Sequence, residues 1–538
     1  MEFIMRTSVR YSNIGASARA TVVAFGAGAL LRLRDEQLFV YKTCGRHHHM
    51  NHPGTPSVCT ADVGFIRRLS LWSDEQREAS ERALASLGEH NIRTVRLAFA
   101  DQHGILRGKT IVADALPAAF TNGWGLTSTL LLKDTSHRTA WPVWTEGGAA
   151  PQLRGAADFV AVPDPTTFRI LPWTEHSAWV LCDAYFRSGE PIPFATRQLC
   201  ARQLQRLGSA GYDLLAGIEL EFHVHKIEDA RHGVSDWGQP GPPPTVSVIS
   251  RGYQYLTEYR YDEIDPILDL LRETLSALEI PVRSLEIEFG PSQCELTFDP
   301  RPGLQAADMV VLARSAIKQV CRRRGLLASF MCRPALPGAL SSGWHLHQSL
   351  LKRADGSNAF VGRGVSPLSE LGMHYVGGLL RYARDTCLLA TPTINGYKRY
   401  RPHSLAPNAV VWGQDNRGAM LRVIGGPGDP ASHVENRVGE SAANPYLYFA
   451  SQIISGLAGI EERIDPGPAV DTPYASGSPS LPRSLVEAVT EFKNSTLLER
   501  VLGRTFLDYL VRIKEFELHR FLSDEVTDWE QREYFEIF

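Results

Sequence analysis

The stretch GIELEF at residues 217–222 places two carboxylates, Glu219 and Glu221, inside an otherwise apolar run that is typical of a β-strand. Residues two apart on a strand point to the same side of the sheet. Two like charges on one apolar face repel each other and lose hydration unless a cation neutralises them. A divalent metal would neutralise them, whereas a solvent-exposed strand face with two hydrated glutamates is the alternative.

Further segments of the same kind favour the metal. The side chains concerned are Glu288 and Glu295 in EFGPSQCE (288–295), His345 and His347 in SGWHLHQS (342–349), and Glu435 in ENR (435–437). Carboxylate oxygens with few imidazoles suit Mg²⁺ or Mn²⁺ better than zinc, which prefers shells rich in cysteine and histidine. We therefore expect a site for a hard divalent cation, either Mg²⁺ or Mn²⁺.

The composition is that of an ordinary globular protein with room for two or three domains. The chain has 538 residues, of which 43% are hydrophobic and 21% charged, and its formal charge of −3 gives no reason to expect a nucleic-acid partner. Its eight cysteines are scattered without a CxxC pair, which favours unpaired thiols in a reducing cytoplasm. The longest apolar run, residues 20–31, is shorter than the roughly 20 residues that span a bilayer, so we expect no membrane partner.

The pattern along the chain predicts an α+β fold with three parts. Residues 1–70 read as a partly irregular extension, in which the three histidines 47–49 indicate a loop, and Met50 is an alternative natural start. Residues 71–190 open with a helix over 73–90, capped by Ser73, and continue with hairpin strands, so they predict a small β-rich domain. Residues 191–538 mix helices and strands and form the expected catalytic domain.

Several segments in order along the chain resemble the glutamine synthetase superfamily. Besides those quoted above, they are PTINGYKR (392–399), DNR (415–417), Arg422 and ANPY (443–446). The resemblance extends from about Ile92 to Phe538. It implies an N-terminal β-grasp domain, to which RGK at 107–109 belongs, and a catalytic domain with a curved antiparallel sheet and helices.

The resemblance also implies a role for each motif residue. Glu221, Glu288 and Glu295 would hold a metal beside the substrate glutamate, and Glu219, His345 and Glu435 would hold a metal on the ATP phosphates, two or three ions in all. Arg399 and Arg437 would bind the carboxylates of glutamate, Arg417 and Arg422 would contact phosphate, and His347 and Ser349 would lie near the nucleotide. The implied reaction phosphorylates the side-chain carboxylate of glutamate with ATP, after which an amine displaces phosphate.

The sequence departs from the family pattern where ammonia would bind. The segment HSLAP at 403–407 has Leu405 where glutamine synthetases carry a flap glutamate, and LTST at 126–129 lacks the family's aspartate. Capture and deprotonation of an ammonium ion need negative charge, whereas an arylamine is already neutral at pH 7. The acceptor is therefore expected to be a larger primary amine, in particular an aromatic amine such as aniline, with Leu405 and Trp344 as candidates for its pocket.

In this respect the chain resembles γ-glutamylanilide synthases, and it shares features with γ-glutamylpolyamine and γ-glutamylalkylamide synthetases. One rival interpretation is a glutamine synthetase that uses ammonia. The missing flap carboxylate argues against it. Another is a non-catalytic family member, against which the complete set of metal-ligand positions counts. Family resemblance further implies a cytoplasmic homo-oligomeric ring, a dodecamer or similar.

Overall fold

The computed structural model describes residues 64–145 and 148–537, together with the backbone of three strands nearer the N-terminus. The histidines 47–49 and the alternative start at Met50 lie outside the described residues. The chain divides into two units, Met1–Asp62 and Val63–Phe538. In the first unit, β1 (Thr21–Phe25), β2 (Gly28–Arg32) and β3 (Phe39–Val40) form an antiparallel sheet.

The N-terminal part of the second unit contains three α-helices and a six-stranded sheet. Its strands are β4 (Thr94–Ala100), β5 (Leu106–Val112), β6 (Trp124–Thr127), β7 (Asp158–Pro163), β8 (Arg169–Ile170) and β9 (Ser177–Tyr185). The order is β5-β4-β9-β7-β6, with β8 beside β9, and only β4 and β9 run parallel. The helices are α1 (Phe65–Arg68), α2 (Asp74–Glu89) and α3 (Leu116–Asn122). The helix expected over 73–90 is confirmed, because Ser73 and Gln76 form a capping box at the start of α2.

A nine-stranded sheet follows and carries most of the predicted site. Its strands are β10 (Tyr212–Asp229), β11 (Thr245–Ser247), β12 (Val282–Ile287), β13 (Gln293–Pro302), β14 (Leu326–Ser329), β15 (Trp344–Lys352), β16 (Trp412–Gln414), β17 (Leu421–Ile424) and β18 (His433–Asn436). The main order is β12-β13-β10-β15-β18-β17-β16, while β11 and β14 also pair with β10. All these pairs are antiparallel except β16 with β17.

The remaining helices pack against this sheet or, towards the C-terminus, against one another. They are α4 (Thr196–Ser209), α5 (Glu258–Asp262), α6 (Asp265–Ala277), α7 (Gly303–Arg323), α8 (Glu370–Arg381), α9 (Ala383–Ala390), α10 (Pro445–Glu462), α11 (Leu485–Asn494), α12 (Thr496–Leu502), α13 (Arg504–Asp524) and α14 (Asp528–Tyr534). None of the helices in the described part of the chain is long and apolar enough to cross a membrane. The six described cysteines are buried and unpaired, as the sequence predicts.

One buried arginine joins the six-stranded sheet to the helices behind the nine-stranded sheet. Arg197 in α4 lies 2.7 Å from a carboxylate oxygen of Asp164, 3.1 Å from Asp183 in β9 and 2.8 Å from Asp308 in α7. Because a guanidinium presents five donors in a fixed fork, it can serve three carboxylates at once. The observed α+β mixture agrees with the sequence, whereas the proposed boundaries at residues 70 and 190 stay a prediction.

Candidate active site

Antiparallel register brings the predicted ligands together on one face of the nine-stranded sheet. Glu219 and Glu221 on β10 stand directly opposite His345 on β15 and Glu295 on β13, respectively. Residues directly opposite each other have Cβ atoms about 4.5–5.5 Å apart. On the next strand pair, His347 stands opposite Glu435 of β18, which in turn stands opposite Arg422 of β17. Segments far apart in sequence thus form one continuous row of charged and imidazole groups.

Strand alternation sends the residues between these ligands to the opposite, apolar face. Leu220, Trp344 and Leu346 are completely buried. The ring of Trp344 packs edge-on against Tyr448 at 5.0 Å between centroids. The expectation that Trp344 lines the amine pocket is therefore corrected, because its position next to His345 on a strand turns its side chain into the core.

Two imidazoles surround Glu219. Nδ1 of His345 lies 2.9 Å from Oε2 of Glu219, and Nε2 of His347 lies 3.0 Å from its Oε1. Burial alone would raise the pKa of Glu219, but the hydrogen bonds from both histidines lower it well below its usual range. Burial also lowers the pKa of His345, which keeps that imidazole neutral and able to serve as a ligand.

Glu288 and Glu295 form the part of the site that lacks positive charge. Within the described residues neither forms an ion pair with lysine or arginine. Burial, reinforced by Glu221, raises the pKa of Glu288 to about 8. Burial and the neighbouring carboxylates Glu219 and Glu221 raise the pKa of Glu295 well above its usual value. Such a cluster is unfavourable without a cation, so its donor chemistry fits a hard divalent metal.

Two sets of three side chains bring potential ligand atoms within 4.8 Å of one another. They are Glu219 with His347 and Glu435, and Glu219 with Glu295 and His345. All belong to the predicted constellation, but His347, expected near the nucleotide, is grouped here with carboxylates, and Glu219 belongs to both sets. The division into two ligand sets inferred from sequence stays a prediction.

Two cavities open on either side of Glu219. The larger, of about 550 Å³, is lined by Glu219, Glu221, Glu288, Glu295, His345 and the four predicted arginines, 399, 417, 422 and 437. The smaller, of about 420 Å³, is lined by Glu219 again and by His347 and Ser349, the two residues expected near the nucleotide. We call them the acid cavity and the nucleotide cavity. Glu219 forms part of the wall of both.

The four arginines differ in the ion pairs and hydrogen bonds that they form with other residues. Arg437 is buried and pairs with Glu435, and Arg399 Nη1 donates to the backbone carbonyl of Arg437 at 2.7 Å. Arg422 pairs with Glu435 at 3.0 Å and also with Asp415. Arg417 is exposed, and in the part of the chain that the structure describes its guanidinium forms no ion pair or hydrogen bond. It is therefore free to bind an anion.

Glu435 is the buried carboxylate that these cations stabilise. It is completely buried and lies between Arg422 and Arg437. Burial alone would raise the pKa of Glu435, but Arg437 and His345 lower it, so the group is ionised. Its position directly opposite His347 on the sheet keeps that anionic charge beside the nucleotide cavity.

The acid cavity also has an apolar part, of which the sequence analysis named only Leu405. Leu405, the sequence candidate for the amine pocket, lines it together with Leu340 and with Tyr255 and Phe289, whose rings stack at 4.2 Å. Tyr255 and Phe289 come from loops 34 positions apart, so no local pattern joins them. Glu286, which also lines the cavity, could have been found, because Glu286 and Glu288 repeat the spacing of Glu219 and Glu221.

The residues of this site lie within the part of the chain that matches a known family. Residues 194–534 match the family described as glutamine synthetase, catalytic domain. A γ-glutamylanilide synthase from Acinetobacter sp. is 42% identical over 495 residues, which cover 88% of this chain and 99% of that protein. A glutamate–isopropylamine ligase from Pseudomonas sp. is 30% identical, covering 86% of this chain and 100% of that protein.

A solved structure titled GmaS/ADP complex superposes with a TM-score of 0.71 at 25% identity, covering 84% of this chain and 99% of that one. Fold and site together define an enzyme that joins a carboxylate to an amine. The chain belongs to the glutamine synthetase family. The predicted fold and the predicted class, a ligase that forms γ-glutamyl amides, are confirmed by these matches.

Proposed function

We propose that the chain joins the γ-carboxylate of L-glutamate to a primary arylamine, using ATP and passing through a γ-glutamyl phosphate. One observation carries the choice of amine. The acid cavity has an apolar part formed by Leu340, Leu405 and the stacked rings of Tyr255 and Phe289. The loop residues 340–341 and 401–406 that contribute to this cavity include no carboxylate.

ATP is assigned to the nucleotide cavity and glutamate to the acid cavity. Glu219 lines both, so the γ-phosphate and the γ-carboxylate of glutamate would meet beside it. Arg399 and Arg437 are buried and anchored by hydrogen bonds to backbone carbonyls, which fixes their guanidinium planes to bind the carboxylates of glutamate. Arg417 and Arg422 would stabilise the transferring phosphoryl group.

Divalent cations are assigned to Glu219, Glu221, Glu288, Glu295, His345 and Glu435. Two or three Mg²⁺ or Mn²⁺ ions held there would neutralise phosphate charge and align the γ-phosphate for attack by the glutamate carboxylate. Without a cation the high pKa values of Glu288 and Glu295 would favour protonation of their ligand oxygens. Metal binding is therefore expected to release protons.

The amine then attacks the acyl carbon, the C–N bond forms, the C–O bond to phosphate breaks, and the nitrogen gives up one proton, which the departing phosphate can accept. A neutral arylamine already presents its lone pair, so the cavity needs no flap carboxylate to remove a proton before attack. Leu405 and the Tyr255–Phe289 pair would bury the aromatic ring of the amine and exclude water from the acyl phosphate.

The test is a comparison of ADP release with glutamate and aniline, isopropylamine, ethanolamine, putrescine or ammonia. We expect aniline to give the highest kcat/KM and glutamate alone to give little ADP. A highest value with ammonia or putrescine would overturn the choice of amine. No ADP release with any amine would overturn the ligase itself and favour a non-catalytic member of the family.

An alkylamide or polyamine ligase is the second candidate. The carboxylates Glu286 and Glu288 line the same cavity as Leu405 and could attract a protonated amine. A γ-glutamylethanolamide synthetase from Streptomyces coelicolor is 34% identical and covers 84% of this chain. The same comparison of amines separates the two candidates.

We also propose that the chain assembles as a homo-oligomeric ring, on the ground of its family membership alone. Mass photometry of the purified protein tests this. A single species at the mass of one chain would contradict it.

A further inference from the structure

The side chain of Gln293, the first residue of β13, lies between the carboxylate cluster and the apolar wall of the acid cavity. It is 3% exposed. Its Nε2 lies 3.1 Å from Oε2 of Glu221, 3.0 Å from Oγ of Ser342 and 3.4 Å from the carbonyl of Ser341. We propose that Gln293 is a positioning residue, which orients Glu221 for the divalent cation and links it to the loops that form the amine pocket.

The hydrogen bonds determine which way the amide of Gln293 faces. Oε1 accepts a hydrogen bond from the backbone N–H of Gly290 at 2.9 Å. Because Oε1 faces a donor, Nε2 must face Glu221, whose ionised carboxylate can only accept. The bond to Glu221 is therefore a charge-assisted donation, which is stronger than one between neutral groups.

The two oxygens of Glu221 have different neighbours. Oε1 lies 3.6 Å from Nε2 of His345, and Oε2 is held by Gln293. Glu295 stands directly opposite Glu221 on the sheet and would otherwise repel it. With Oε2 held by Gln293, the carboxylate presents its other oxygen and its remaining lone pairs in a defined direction, which is what a metal with a preferred geometry needs.

The same side chain reaches the loops next to the amine pocket. Gly290 follows Phe289, and Ser341 and Ser342 follow Leu340, and both Phe289 and Leu340 line the cavity. Ser342 is completely buried, and its Oγ lies 3.3 Å from Nδ1 of His223, so the network continues into the core. Gln293 therefore fixes the position of the amine-pocket loops relative to Glu221.

Gly290 leaves the space that the side chain of Gln293 occupies. A Cβ added to Gly290 would overlap Oε1 of Gln293, so any larger residue there must displace the glutamine side chain. The φ of Gly290 is not in the left-handed region that otherwise demands glycine. The close approach of Gln293 is thus the reason that position 290 must be small.

The inference rests on the proposed metal-binding role of Glu221, and the experiment separates the two. Mn²⁺ binding is measured by isothermal titration calorimetry, and ADP release with aniline gives kcat and KM, for the wild type, Gln293→Met, Gln293→Glu and Gly290→Ala. Gln293→Glu retains the size of the side chain and the acceptor for Gly290, but it turns an oxygen towards Glu221. Gly290→Ala disturbs the same contact without altering Gln293.

We expect all three variants to weaken Mn²⁺ binding about 10- to 100-fold and to raise KM for aniline, because partners that orient metal ligands contribute to metal affinity to that extent. Gln198→Met is the control, since Gln198 is also buried and accepts a hydrogen bond from Ala184 N at 3.0 Å, outside both cavities. It should leave Mn²⁺ binding unchanged.

Mn²⁺ binding by Gln293→Glu that is as tight as in the wild type, or tighter, would overturn the inference, because the donation to Glu221 would then not matter. Folding of each variant is checked by its melting temperature, and Gly290→Ala keeps the test decisive if Gln293→Met fails to fold. A wild type that binds Mn²⁺ but releases no ADP with any amine would overturn the proposed function instead.

Discussion

Arg437 donates a hydrogen bond from Nη2 to the backbone carbonyl of Leu405 at 3.2 Å, while its Nη1 pairs with the buried Glu435. The loop that carries Leu405 is thus attached to the charged row of the sheet through its backbone. Leu405 is 49% exposed and has a φ of 56°. Its side chain can therefore be exchanged without removing the contact that holds the loop.

Leu405→Glu should change the preference for the amine. A carboxylate at this position would attract a protonated amine and could accept its proton. An aromatic ring bound beside it would remove water from the charged carboxylate, which costs free energy. We expect kcat/KM for aniline to fall about 10- to 100-fold and that for ammonia to rise. Leu405→Met is the control and should retain the use of aniline. Unchanged ratios between the two amines in Leu405→Glu would show that Leu405 does not contact the acceptor.

Tyr255→Ala should weaken binding of the aromatic amine specifically. Removing one ring of the Tyr255–Phe289 stack takes away a face for the acceptor ring, so KM for aniline should rise about 3- to 10-fold. KM for glutamate should remain near that of the wild type. Tyr259→Ala is the matched control, because Tyr259 is 71% exposed and does not line the cavity. An equal effect of both substitutions would argue against the stacked pair as the amine site.

Arg417→Gln should lower kcat more than it raises KM for glutamate. Its guanidinium has no partner among the described residues and lines the acid cavity, so it is available to the charge that develops during phosphoryl transfer. Loss of such a group costs about 10²- to 10³-fold in kcat. Arg324→Gln, at the exposed end of α7, is the control for loss of one positive charge. A rise in glutamate KM without a loss of kcat would assign Arg417 to substrate binding.

Arg197→Met should destabilise the fold rather than alter catalysis directly. The substitution leaves Asp164, Asp183 and Asp308 without their shared cation, and removal of one partner from a buried ion pair costs about 3–5 kcal/mol. A melting temperature clearly below that of the wild type is expected. Arg187→Met, whose ion pair with Asp158 is exposed, should leave the melting temperature unchanged. Equal stabilities of the two variants would contradict the role of Arg197.

Stability should fall in mild acid, partly because of His103. Desolvation lowers the pKa of His103, so the folded state binds its proton less readily than the unfolded state. Below the unfolded pKa of about 6.5, the free energy of unfolding therefore decreases, by up to about 1.4 kcal/mol for each pH unit. His103→Asn should lose less stability between pH 7.5 and 5.5 in urea denaturation. An identical pH dependence of wild type and variant would rule out His103 as a contributor.

That the candidate ligands share one face of the sheet could be predicted from sequence, because strand spacing is local; that they hold a metal stays a prediction. The alternation in GIELEF and HLH predicts which side chains share a face of the sheet. The same alternation explains why the side chain of Trp344, next to His345, lies in the core and not in the cavity. The stack of Tyr255 on Phe289 and the bond from Arg437 to Leu405 could not be predicted. They depend on how loops from distant segments fold back over the sheet, and no periodicity in the chain specifies that.

Glu219 is part of the wall of both cavities, so with ATP and glutamate placed as proposed, both substrates would bind beside the same carboxylate. Any cation or phosphate that changes the charge around Glu219 on one side changes the electrostatic potential on the other. Coupling of this kind is reciprocal: the factor by which nucleotide tightens glutamate binding must equal the factor by which glutamate tightens nucleotide binding. With the proposed placement of the substrates, the shared carboxylate would therefore couple their binding within one chain.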